Sequence, residues 1–350
     1  MVLRLESATV ASTLSLWAQM PITRRISSAP IPLTVIAGEP DSGKTTVLLN
    51  LLAQATRRRV AAVVADPNRR VLERCGAHWL SDDSAELPGG SLCCGFDGDF
   101  ASALARITSM QLPATQVLLE APTTSELRRA AGYAYVPGFR PDGIVLVTKA
   151  DRVLQAATDE AEGPSSLHEA NVVVMNKADL ISDADAIRAR RWLSRNAASA
   201  RIVVTRKGQI AAPLVLGLDP TDEPDDVPVM YADWTPTLDL STPVSRSRTH
   251  PVDLQLGERC RAWNVHTTEP VDAFDFKTWA NHLPRTIIRG RGMVWLHHER
   301  HVPYSFDLIG GKWSLTRAGM WRTQPGTQVM LVGLQSQPTL RPQQQLSLMA

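Results

Sequence analysis

Short, unbroken apolar runs recur along the first two thirds of the chain, each stopped by Gly, Pro, Asp, Asn or Lys. Leu33 to Ala37, inside "IPLTVIAGEPDSGKTTVLLNLLAQA", is the first. "VAAVVADPN", "QVLLEAPTT", "DGIVLVTKAD", "NVVVMNKADL" and "ARIVVTRKG" follow. Runs this short, with no polar alternation, predict strands covered on both faces. Between several of them the apolar period lengthens to that of a helix. This happens from Thr45 onward, in "SELRRAAGYA" and in "DADAIRARRWLSRNA". Strands alternating with helices predict an α/β fold, a parallel sheet with helices on both faces.

The pattern changes after Gly217. "LDPTDEPDDVPVMYADWTPTLDLSTPVSRSRTHP" is rich in Pro, Asp, Ser and Thr and reads as a linker. A smaller α+β unit follows: strand "RAWNVHT", helix "VDAFDFKTWANHL", strands in "IIRGRGMVWLHHE" and "YSFDLIGGKWSLTR", and a last strand "QVMLVGL". Trp279, Trp295 and Trp313 read as its core. The predicted boundaries are a disordered extension over 1–30, an α/β domain over 31–218, a linker over 219–254, the small domain over 255–335 and a tail over 336–350. In the extension, Ser, Thr and Gln interrupt "ATVASTLSLWAQM" and no cleavage site follows, which argues against a secretory signal.

Composition narrows the function classes. A formal net charge of +2 across 350 residues calls for neither a nucleic acid nor a membrane surface as partner. No apolar run is long enough to span a bilayer. The four cysteines, Cys75, Cys93, Cys94 and Cys260, are too few for a disulfide framework, so a reducing, cytoplasmic setting is expected.

Gly38-Glu39-Pro40-Asp41-Ser42-Gly43-Lys44-Thr45 fits G-x-x-x-x-G-K-[ST], between a predicted strand and a predicted helix. The backbone N–H groups of such a loop, with Gly38, Ser42 and Gly43 in it, wrap phosphates, and the helix dipole favours the anion. Lys44 is expected against the β- and γ-phosphates. Thr45 is expected to hold Mg²⁺ through its hydroxyl, and Thr46 to reach an α-phosphate. "NKAD", Asn176 to Asp179, follows a buried strand. A carboxylate at Asp179 can accept from guanine N1–H and N2–H₂ together, a donor pair adenine lacks. The stem of Lys177 can lie along the purine. "TKAD", Thr148 to Asp151, also follows a strand, but lacks the Asn. A plain strand end with a helix capped at Asp179 is the other reading of "NKAD". Glu120 closes a strand and reads as a carboxylate that orients a Mg²⁺-bound or attacking water.

The "GKTT" loop, the cluster "GGSLCC", Glu120, "NKAD" and the second domain's "RGRGMVWL" and "GGKW" stand in an order that resembles the CobW-type GTPases. The resemblance runs over residues 33 to 335. It implies a P-loop GTPase domain with a small C-terminal domain, with GTP and Mg²⁺ as cofactors. It also implies zinc or cobalt as cargo for a client metalloprotein. The family's C-x-C-C cluster binds metal in a switch region. Cys93 and Cys94 match its last two cysteines, while Ser91 stands at the first, and a hydroxyl is a poorer ligand than a thiolate. Cys75 and His78, spaced C-x-x-H, would make a Cys₃His set with them. Otherwise Cys75 is a core residue and His78 caps a turn. Asp97 or water could instead complete a two-thiolate site, or metal binding is lost.

Other departures concern the switches. Where the family has Asn-Glu-Phe-Gly, this chain has Ala65-Asp66-Pro67-Asn68, which keeps a carboxylate at Asp66 for positioning water. The family's Glu-x-Ser-Gly is here Glu120-Ala121-Pro122-Thr123, and Asp41 replaces a Gly of the phosphate loop. Nucleotide binding with slow hydrolysis is the expectation. The linker holds one histidine, His250. His297, His298 and His301 either hand metal on or form a polar hairpin loop. A guanine-nucleotide-binding regulator without metal cargo is the alternative function. An ATP-using P-loop kinase is a third.

Overall fold

The structure, a computed structural model, describes residues 30–55, 59–64, 78–81, 84–86, 92–95, 100–109, 114–197, 199–217, 229–233, 259–321 and 324–335. These fall into two compact units. One comprises the described residues up to Pro40 and those of Lys44–Ile144; the other comprises Asp41–Gly43 and the described residues from Val145 on.

The first unit contains β1 (Ile31–Gly38), α1 (Lys44–Gln54), β2 (Val60–Val64), β3 (His78–Ser81), β4 (Ser84–Glu86), β5 (Leu92–Gly95), α2 (Phe100–Ser109), β6 (Gln116–Glu120), α3 (Leu127–Gly132) and the start of β7 (Phe139–Lys149). Strand order is β3-β4-β5-β2-β6-β1-β7. Every residue of β1, β2 and β6 is buried, which is why their sequences do not alternate. β1 runs parallel to β6 with Ile36 opposite Glu120, so the strand that enters the phosphate loop ends beside that carboxylate. α1 lays Val47, Leu48, Leu51 and Leu52 into the core. The apolar pattern predicts a parallel sheet, and the β1–β6, β2–β5 and β2–β6 pairs are parallel, but the edge departs from it. β4 pairs antiparallel with both β3 and β5. A three-residue strand is too short to register as a period in sequence.

In the second unit β7, β8 (Val172–Asn176) and β9 (Arg201–Val204) are parallel neighbours. They are accompanied by α4 (Ala150–Thr158), α5 (Ser165–Glu169), α6 (Asp183–Asn196) and α7 (Ala212–Leu216). Ser182 caps α6 by accepting from Asp185 N at 3.2 Å, with Asp183 and Asp185 favourably placed in its first turn.

The same unit holds a six-stranded sheet of order β10-β11-β15-β12-β13-β14. Its strands are β10 (Val229–Asp233), β11 (Arg259–Thr267), β12 (Ile287–Trp295), β13 (Pro303–Ile309), β14 (Lys312–Arg317) and β15 (Thr327–Gln335), with α8 (Ala273–Asn281) after β11. β10, within the span read as linker, pairs parallel with β11. Asp272 caps α8 through Phe274 N and Asp275 N. The helix buries Phe276 and Trp279 with Trp263, Phe306 and Leu331, and Trp313 packs against the cluster. Trp295, read as core from sequence, is only half-buried and donates to Arg300 O at 3.0 Å. An indole at the last residue of its strand can reach a loop carbonyl, which the strand pattern does not reveal.

The "GGKW" glycines answer to a close backbone approach. Gly310 has φ +61°, and a Cβ there would stand 1.8 Å from Asn171 O. Gly311 N donates to Ser199 O at 3.2 Å, and Arg201 Nε donates to Ile287 O at 3.1 Å. Among the described residues no helix is long and apolar enough to cross a membrane.

Candidate functional site

β1 ends at Gly38 and α1 begins at Lys44, so the phosphate-loop motif is the turn between them. Asp41 (φ +58°) and Gly43 (φ +91°) both lie in the left-handed region. A Cβ on Gly43 would stand 2.4 Å from Asn176 Nδ2, so conformation and space both demand glycine. Ser42 is buried and Thr46 exposed. Lys44 is buried, and its Nζ donates to Glu39 O at 3.1 Å. The first turn of α1 carries no acid to neutralise the positive end of the helix dipole. Thr45 Oγ1 donates to Glu120 Oε1 at 2.8 Å, and Glu120 is buried. The hydroxyl at the start of α1 and the carboxylate at the end of β6 are thus held together, an oxygen pair suited to a hard divalent cation and its water.

Asn176 ends β8 with a side chain 2% exposed. Its Nδ2 donates to Ser42 O at 2.9 Å, and its Oδ1 accepts from Gly208 N at 2.8 Å. Both amide atoms are therefore spent on backbone groups, one before Gly43 and one in the loop after β9. Lys177 follows in the left-handed conformation (φ +59°), half-buried, and Asp179 is exposed. Ala178 N donates to Thr205 O at 3.1 Å. The loop Thr205–Gly208, read from sequence only as the end of a strand segment, closes this side of the arrangement. Its only local signal is a Gly shortly after an apolar strand. Four described non-glycine residues have positive φ, and three of them, Asp41, Lys177 and Lys207, lie in these loops. Strain gathered in this way is characteristic of ligand clamps. The competing "TKAD" differs: Asp151 is exposed and accepts from Arg152 N at 2.9 Å, a purely local bond.

The cysteine region is described in part. Cys93 lies on β5, 1% exposed, opposite Ala62 and Ala85. Cys94 stands opposite Val63 and Ser84, described for its backbone only. His78 begins β3, exposed, opposite Glu86. Asp66, Cys75, Ser91 and Asp97 lie outside the described residues. Among the described residues no three or more His, Cys, Asp or Glu side chains are grouped to hold a metal. His297, His298 and His301 are exposed. His297 Nε2 and Arg300 Nη2 are 2.7 Å apart, and His298 lies beside the Tyr304 ring. Neither Cys93 nor Cys260 is in a disulfide, and burial pushes the Cys260 thiol up to about 12. That makes Cys260 an inert packing residue.

Residues 32–204 match the family model described as CobW/HypB/UreG, nucleotide-binding domain. Residues 260–345 match the one described as Cobalamin synthesis protein cobW C-terminal domain. A protein named Zinc chaperone CobW, from Sinorhizobium sp, is 27% identical over 237 residues, 58% of this chain and 67% of that one. Zinc-regulated GTPase metalloprotein activator 1 of Schizosaccharomyces pombe is 24% identical over 193 residues, 52% of this chain and 47% of that one. The chain thus spans about half to two thirds of the length of these relatives. Of solved structures, Zn(II)-bound YjiA GTPase from E. coli is similar at 16% identity, covering 91% of this chain and 97% of that one with a TM-score of 0.42.

Proposed function

The chain belongs to the CobW family of nucleotide-binding proteins, and on that premise we propose that it is a GTP-hydrolysing metallochaperone that passes zinc or cobalt to a client metalloprotein in the cytoplasm. The observation that carries the nucleotide half is the Asn176 side chain, whose two amide atoms bond Ser42 O and Gly208 N. A buried amide so engaged holds the base loop and the phosphate loop in a preset geometry, so binding does not have to order them.

Each residue then has a role. Lys44 leaves the Glu39 carbonyl to pair with the β- and γ-phosphates. Backbone N–H groups from Gly38 to Thr46 take the phosphate oxygens. Thr45 supplies a hydroxyl ligand for Mg²⁺, and Glu120 accepts from a water beside it. Mg²⁺, when bound, neutralises charge on the phosphates. Asp66 is assigned to positioning water. Asp179 accepts from guanine N1–H and N2–H₂, and Lys177 covers the purine face. Cys93 and Cys94 supply thiolates for the cargo ion, with Cys75 and His78 as further candidates. The domain limits proposed are 31–218 for the GTPase part and 255–335 for the small domain. The names of the relatives, a zinc chaperone and a zinc-regulated activator of metalloproteins, support zinc as the first metal to try.

A second reading, a guanine-nucleotide-binding regulator without cargo, is favoured by one observation. Cys93 is 1% exposed within a sheet and must be uncovered before it can meet a metal. One experiment separates the two: a Zn²⁺ titration of the reduced protein against a chelating dye, with a non-hydrolysable GTP analogue and again with GDP. The chaperone reading expects several-fold tighter zinc with the analogue, abolished in the double variant Cys93→Ala, Cys94→Ala. Equal weak binding in both states, repeated with Co²⁺, selects the regulator. ATP competing as well as GTP would remove the guanine assignment.

A further inference from the structure

Asp41 is an acid in a loop read as the cradle of a polyanion. Its backbone is in the left-handed region at φ +58°. Side chains are costly there, and among those that tolerate it Asp and Asn lead because they are short and polar. Two residues on, Gly43 occupies the same region. Asp41 is exposed, three residues ahead of the first residue of α1, whose N-terminal dipole and N–H groups favour an anion. Glu39, the loop's other acid, is partly buried and engaged within the protein. The loop therefore presents one solvent-facing carboxylate where phosphates are to dock. Like charges brought together raise the energy of the bound state and leave the unbound state untouched. Most changes of this kind are read in the dissociation rate.

We propose that Asp41 is an affinity-limiting residue of the phosphate loop, whose negative charge speeds release of the nucleoside diphosphate. The proposal rests on the guanine-nucleotide reading given above and adds a kinetic property to it. A loop with Gly at this position would hold the same contacts without the opposing charge. The nucleotide would then leave more slowly.

The test is the release of a fluorescent GDP chased with excess unlabelled GDP, for the full chain, Asp41→Asn and Asp41→Gly, at low and high salt. Asp41→Asn keeps tolerance of the left-handed backbone and removes only the charge. Its release at low salt should be ~tenfold slower than in the unaltered protein, and the gap should shrink to ~twofold at high salt as the charge is screened. Asp41→Gly should release at least as slowly. Release from Asp41→Asn within twofold of the unaltered protein at low salt would overturn the proposal. So would slow release in Asp41→Gly alone, which would assign the effect to backbone strain. If none of the three proteins takes up GDP while all unfold cooperatively on heating, the nucleotide reading fails and this proposal with it. If only the two variants take it up, the charge effect is larger than stated and the proposal stands.

Discussion

Asn176 and Cys93 are each buried residues on a strand with a parallel neighbour, and each belongs to a motif that names a ligand. Yet their surroundings differ. At Asn176 every polar atom of the side chain already bonds a loop backbone, and the loops around it carry three strained non-glycine residues. At Cys93 the neighbours across the ladder are Ala62 and Ala85, and no metal-sized group of ligating side chains stands among the described residues. The first is a prearranged clamp; the second is a thiol stored in a core. The difference teaches that one motif side chain is already fixed by backbone partners on both sides, whereas the other faces small apolar neighbours across its ladder.

The comparison is tested hardest at Lys44. Lys44→Ala should cut GTP affinity by about 30-fold or more, as truncating one partner of a buried, hydrogen-bonded charge pair does, with the thermal midpoint little moved. Binding within tenfold would break the prearranged side of the contrast. Asn176→Ala comes next. It leaves two buried backbone groups without their partner, so urea unfolding should show a loss of about 2–3 kcal/mol, with weaker GTP binding. Asn176→Asp keeps an acceptor for Gly208 N but turns a second carboxylate oxygen toward Ser42 O and buries a charge, so it should lose at least as much as Asn176→Ala.

Cys260 supplies the reference for a stored thiol. Burial raises its pKa to about 12 from the ordinary 9.0, so between those values the folded chain keeps a proton that the unfolded chain has lost. Stability is therefore unaffected below pH 9 and falls as pH rises toward 12, by up to ~1.4 kcal/mol per pH unit. Cys260→Ala should remove that part of the alkaline slope in unfolding measured across this range. Smaller again, Cys93→Ala should cost about 1 kcal/mol as a modest loss of core volume, leaving GTP affinity within about twofold, since the nucleotide clamp does not use it. A large GTP defect there would merge the two regions into one device. Asp151→Ala, at the motif that competes with "NKAD", should leave GTP affinity unchanged when measured by calorimetry.

What was legible in sequence was local. A buried strand running into Gly38–Thr45 and a helix, and a buried strand running into Asn176–Asp179, are each read within about ten residues, because apolar period and turn chemistry are short-range signals. The strand–helix alternation announced the α/β class for the same reason, and the shift to "WNVHT" and "GMVWL" announced a second sheet. Signals with few residues behind them were lost: β4 is three residues long, and β10 is short and surrounded by linker-like Pro and Asp.

Tertiary structure alone decided who meets whom. Asn176 meets Ser42 across 134 positions of sequence, and Thr45 meets Glu120 across 75. Gly43 is required by the Asn176 amide, and Gly310 by the carbonyl of Asn171. A residue type shows what a side chain can donate, accept or tolerate. Which distant backbone comes within 3 Å of it depends on strand order and register, because those set the separation of every strand end from every other. The sequence by itself therefore determined the parts and their chemistry. The packing of the strands decided that Asn176 became a clasp and that Cys93 became core.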